Sequence, residues 1–118
     1  YIQYAFVRAN KLLENSSDSI NDVSLVFSLL DEVDLNLIKC LIKFEYFFKQ
    51  ALNSNEPHHL ADYLYELSNH FNSMYQSTNI LENKNINIKL KKLKITSFFV
   101  NFSKLLMESL GIEPAEKM

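Results

Sequence analysis

Apolar residues recur along most of this chain at spacings of three and four, the period of a helix buried along one face. In the first such stretch, Tyr1–Glu14, the residues Ile2, Phe6, Ala9 and Leu13 share a side at roughly 100° per residue, which predicts a helix with those residues as its core stripe. Asn15–Asn21, rich in serine, predicts a loop. Apolar residues return over Val23–Leu30, and Asp34–Asn53 again has helical spacing through Leu37, Ile38, Leu41, Ile42, Tyr46 and Phe48, read as two helices with a break near Phe44. The segment Ser54-Asn55-Glu56-Pro57 is a start signal, because proline in the first helical turn has no intrahelical N–H bond to lose and its fixed φ suits the helix. The helix it opens should run to about Ser77 with Leu60, Tyr63, Leu64, Leu67, Phe71 and Met74 as an unbroken stripe, which places it at the centre of a bundle. Thr78–Asn87 is polar and asparagine-rich, hence a loop. A last helix is expected over Ile88–Leu110 with the stripe Ile95, Phe98, Phe102, Leu105 and Leu106, closed by Gly111 in the left-handed position and followed by a short tail, Ile112–Met118.

Composition strengthens the helical reading. One Gly and two Pro in 118 residues leave few sharp turns, and the apolar signal comes from Leu, Ile and Phe set among Lys, Asn and Glu. The expected fold class is all-α, a bundle of about five helices forming one domain. The net charge of −2 gives no bulk support to a nucleic-acid partner, so such a reading must rest on local features. Cys40 is the only cysteine, which rules out an internal disulfide and a multi-cysteine zinc site and suits a reduced, cytoplasmic setting. No apolar run approaches the roughly 20 residues that span a bilayer, and the start has no signal-peptide pattern, so a soluble protein without a membrane is expected. The chain opens on Tyr1 in what reads as mid-helix, as an excised piece of a longer protein would.

Chemistry-bearing residues are sparse. Tyr1, Tyr4 and Arg8 are three and four residues apart, away from the core stripe of their helix. Two exposed aromatic rings beside a guanidinium can stack on bases and hold a phosphate, yet such residues are more commonly tyrosines packed on a neighbouring helix and a solvated charge. His58, His59 and His70 lack the spacing of a metal site, and no carboxylate is expected to complete a ligand set, so no metal is expected. Asp31, Glu32, Asp34, Asp62 and Glu66 could suggest paired acid and base groups but read as ordinary polar-face residues. Lys84, Lys89, Lys91, Lys92 and Lys94 form a basic helix start that could meet an RNA backbone but is more commonly a solvated face. With no nucleophile beside a base and no glycine-rich phosphate loop, no catalytic residues are expected in this chain.

Three segments, in order, resemble the DALR-type anticodon-binding domain of arginyl-tRNA synthetases. Tyr-Ile-Gln-Tyr-Ala-Phe-Val-Arg at the start resembles the family's YxQYAxxR helix. Glu-Pro-His-His-Leu-Ala-Asp-Tyr-Leu-Tyr-Glu-Leu, followed by Phe-Asn-Ser-Met-Tyr, resembles its EPxxLAxYLYxLxxxFNxxY helix, and the ending at Met118 resembles its LGxxxPExM close. The resemblance implies that Tyr1, Tyr4, Arg8, Asn72, Tyr75 and Met118 belong to the surface that receives a splayed anticodon loop. It leaves Asn72 three roles: orienting Tyr75, reaching RNA, or bonding helix to helix. It also implies tRNA of the arginine isoacceptors and a catalytic domain as partners, a monomer, no cofactor in this piece, and ATP and magnesium used by the parent ligase. Two positions depart from the pattern: His59 stands where the family often has Arg, and Lys117 stands in a closing pair that is often Glu-Arg. A helical protein-interaction module is the main rival, discriminated by RNA binding; a small helical enzyme is a second and predicts a pocket lined by titratable groups.

Overall fold

The computed structural model describes residues 1–16, 30–54, 58–77 and 79–115. Among these it contains five helices and no strand: α1 (Ile2–Glu14), α2 (Glu32–Ile42), α3 (Phe44–Ser54), α4 (His58–Ser77) and α5 (Ile86–Ser109). The expected all-α bundle is what forms. Val23–Leu29, Pro57 and Met118 lie outside the described residues.

Helix boundaries follow local chemistry. Asp31 caps α2 by accepting from the Asp34 N–H at 3.0 Å, while the Asp34 carboxylate accepts from the Asp31 N–H, a reciprocal box that satisfies two orphan donors. The chain breaks at Lys43, whose N–H reaches back to the carbonyls of Cys40 and Leu41, and resumes as α3 at Phe44, where the apolar spacing predicted an interruption. The asparagine-rich loop is built from side chains bonding nearby backbone: Asn79 accepts from Glu82, and Asn83 from Asn85. Asn85 then caps α5 by accepting from Asn87 and Ile88, so α5 starts at Ile86, two residues before the expected Ile88. Gly111 ends it at φ +75°, with its own N–H on Glu108 O and the Ile112 N–H on Met107 O, the two bonds of a Schellman close.

Helix α4 packs on all four other helices. Its predicted stripe, Leu60, Tyr63, Leu64, Leu67, Phe71 and Met74, is buried throughout. The α1 stripe is wider and turned relative to expectation: Ala5, Phe6, Val7, Ala9 and Leu12 are buried, and Ile2 and Leu13 only half-buried. Helix α1 lies against both α4 and α5, and two facing neighbours bury a broader arc than one; the completely covered Ala5 and Ala9 let the backbones approach closely.

Two expectations fail in α5. Its core face runs through Leu93, Ile95, Thr96, Phe99, Ser103, Leu106 and Met107, whereas Phe98 and Phe102 are half-buried and Leu105 is 44% exposed. Apolar residues surround this helix on most sides, so periodicity could not single out one; Phe99 stacking on Phe71 at 4.5 Å accompanies the rotation actually adopted. The lysine run is not a uniformly solvated face: Lys84 is exposed and Lys89 and Lys94 are half-buried, but Lys91 and Lys92 turn inward. Lys92 is 2% exposed and its ammonium lies 2.8 and 2.9 Å from the two carboxylate oxygens of the fully buried Asp34, with Asp31 at 3.2 Å. Lys91 is also buried, and Lys94 sits over the Phe98 ring. Asp34 is thus an interior ion-pair partner and not a polar-face residue. Burial pushes its carboxyl above the usual carboxylate range, against the pull of the Lys92 ammonium. The half-exposed Asp31 ends below that range: the Asp34 N–H and Lys92 outweigh its partial desolvation.

Candidate nucleic-acid interface

Helices α1 and α4 run side by side, and the outward residues of both meet along their seam. Tyr1, Tyr4 and Tyr75 are 56%, 49% and 36% exposed, large aromatic surfaces that water would ordinarily disfavour. What orders them is polar. The Arg8 guanidinium lies 4.4 Å from the Tyr4 ring centre and 4.5 Å from that of Tyr75, tying a ring of α1 to a ring of α4. One of its nitrogens donates to the Tyr4 hydroxyl at 2.8 Å, the other to the Asn72 side-chain oxygen at 3.1 Å. The Tyr1 hydroxyl donates to Asn69 at 2.5 Å, and the Tyr1 ring is tilted against Tyr65 at 5.2 Å.

Five of the six site residues expected from sequence, Tyr1, Tyr4, Arg8, Asn72 and Tyr75, are therefore brought together; Met118 lies outside the described residues. Asn72 is nearly buried and makes the helix-to-helix bond, the third of its three expected roles. Arg8 spends two donors on its own neighbours, so it works as a splint for the rings before it could serve any phosphate. Tyr65 and Asn69 were missed. Their signal was present, since Tyr65, Asn69, Asn72 and Gln76 recur at spacings of three and four on the side of α4 away from its leucine stripe.

The seam is concave. A hollow of about 430 Å³ is lined by Tyr1, Tyr4, Arg8, Asn69, Asn72 and neighbours, and Tyr75 walls two further hollows of about 210 and 320 Å³. Among the described residues, these linings offer tyrosine, amide, guanidinium and ammonium groups, with no carboxylate, imidazole or thiol to move a proton. Gln3, also missed, straps the tail to the same helix: its amide nitrogen donates to the Glu113 carbonyl at 2.8 Å, and its oxygen accepts from the Ala115 N–H at 2.9 Å. One side chain thus satisfies the tail backbone as a neighbouring strand would.

The histidines need a correction. No carboxylate was expected to join them, yet Glu66 lies one turn before His70 with 3.8 Å between oxygen and Nε2, and packing of α2 on α4 brings Cys40 alongside. Burial, helped by the Glu66 charge, pushes the Cys40 thiol up to about 12.

An all-helical module carrying an exposed aromatic seam splinted by arginine is the class of protein that this fold and surface define. The chain belongs to the DALR anticodon binding domain family, whose model matches residues 2–118. It is 30% identical over its whole length to an arginine–tRNA ligase of Aliivibrio fischeri and 33% identical over 119 aligned residues to one of Wigglesworthia glossinidia brevipalpis, covering 20% of each. A crystal structure titled as a putative arginyl-tRNA synthetase from Campylobacter jejuni superposes with a TM-score of 0.82 at 25% identity, covering all of this chain and 26% of that one. The chain thus spans about a fifth of the length of the curated relatives it matches. Among the described residues, no helix is long and apolar enough to cross a membrane.

Proposed function

We propose that this domain grips the anticodon loop of arginine tRNAs as part of an arginine–tRNA ligase, whose catalytic domain lies outside this chain. The observation that supports this reading above all is the Tyr4–Arg8–Tyr75 sandwich, because it presents exposed rings already ordered before a base arrives. Unpaired bases offer π-faces to such rings whatever the net charge of the chain, since stacking contributes roughly 1–3 kcal/mol per base. Holding the loop here fixes the tRNA so that its acceptor end reaches the catalytic domain. ATP and magnesium act in that domain, in the cytoplasm, and this one acts as a monomeric anchor with no catalytic cofactor of its own. A role for Met118 beside the loop rests on the family resemblance. A partner helix would suit a purely apolar stripe better than a seam of phenols, amides and a guanidinium, so RNA is preferred over a protein partner.

The test is direct binding of a fluorescent arginine-tRNA anticodon stem-loop. Affinity should fall as salt rises, and Tyr4→Ala and Tyr75→Ala should each weaken it by about 5- to 150-fold, the stacking energy expressed as a ratio. Unchanged binding in both variants would remove the reading.

A further inference from the structure

Away from the aromatic seam, α2 and α4 bring a second set of chemistry-bearing groups together. The Cys40 sulfur, a Glu66 carboxylate oxygen and a His70 ring nitrogen all lie within 4.8 Å of one another. Glu66 and His70 stand four residues apart on α4, so they point the same way, and Cys40 faces them from α2. Cys40 is 3% exposed, and its carbonyl accepts from the Tyr63 hydroxyl, which holds this turn of α2 against α4. A buried thiol, a carboxylate and an imidazole thus converge from two helices, three ligand types within one small volume.

We propose that Cys40, Glu66 and His70 form a binding site for a zinc-class divalent cation that clamps α2 to α4. The donor types fit: thiolate, imidazole and carboxylate are the ligands zinc takes, and a sulfur with a ring nitrogen disfavours magnesium and calcium. Ligand bonds of roughly 2.0–2.3 Å at tetrahedral angles put donor atoms about 3.5 Å apart. Glu66 and His70 are partly exposed and reach that spacing by side-chain rotation, while the buried cysteine stays in place. Binding displaces the thiol proton to solvent, and water from the open side completes the fourth position. The cation would stiffen the stretch of α4 just before Asn72 and Tyr75, joining the clamp to the helix that presents the seam.

Cobalt is the probe, because a thiolate–cobalt bond gives a strong near-ultraviolet absorption band. Chelator-treated protein titrated with Co²⁺ should develop that band, saturating at one equivalent, and Zn²⁺ should erase it. Zn²⁺ should also raise Tm by on the order of 10 °C at a hundredfold excess over Kd, since it binds the folded chain alone. Cys40→Ser should abolish the band. Glu66→Gln and His70→Ala, changes at partly exposed positions that leave the fold intact, should each weaken Co²⁺ at least tenfold, whereas His59→Ala should not. No band at one equivalent, or His70→Ala binding as tightly as the unsubstituted protein, overturns the site.

Discussion

If Arg8 splints the seam, replacing it with lysine should damage RNA binding although the charge is kept. The guanidinium touches two rings at 4.4 and 4.5 Å and bonds Asn72 and the Tyr4 hydroxyl, a planar fork that a single ammonium cannot reproduce. Each ring set loose must be ordered again when a base stacks, at about 0.5–1.5 kcal/mol per side chain. Two rings give about 1–3 kcal/mol, so Arg8→Lys should bind the stem-loop about 5- to 150-fold more weakly. The slope of log affinity against log salt tells splint from phosphate ligand. Loss of one direct phosphate contact lowers that slope by about 0.7 for a single strand, whereas loss of a splint lowers affinity with little change in slope. Arg8→Ala, measured by fluorescence anisotropy from low to high salt, should show the second behaviour. Native affinity in Arg8→Lys, or a slope reduced by a full contact in Arg8→Ala, would refute the splint.

Lys92→Met should destabilise the fold by about 3–5 kcal/mol in urea melts, because the Asp34 carboxylate is left charged in the interior. Pairing it with Asp34→Leu should recover much of that loss, and no recovery would count against the ion pair as the cause. The Cys40 thiol, pushed up to about 12, should alkylate at pH 8 in metal-free native protein on the order of a thousandfold more slowly than in denaturant, read by intact mass; equal rates would refute its burial. Because the folded value lies above the ordinary thiol value, this group's contribution to stability is complete below about pH 8.5 and is lost as pH climbs from there towards about 12, the unfolded chain releasing the proton first. Gln3→Ala should abolish hydrogen-exchange protection of the Ala115 amide while amides of the α4 core keep theirs; protection retained at Ala115 would show that the strap is not needed.

Helices were legible from the order of residues because their signals are local. A period of three to four and a glycine after the last turn act within a few residues, so α1, the break near Phe44, the stripe of α4 and the close at Gly111 could be read without coordinates. Tyr1, Tyr4 and Arg8 of the aromatic seam were legible for the same reason on α1, and Asn72 and Tyr75 through family resemblance on α4, whereas Tyr65 and Asn69 were not read. Tertiary packing decided the rest. The face that α5 turns inward, the burial of Lys92 on Asp34, the use of Arg8 as a splint, the Gln3 strap and the meeting of Cys40 with Glu66 and His70 join residues from different helices. Such contacts depend on the rotation of each helix about its own axis. A helix like α5, apolar on most sides, leaves that rotation unspecified until its neighbours bury one side and a buried charge must find its partner.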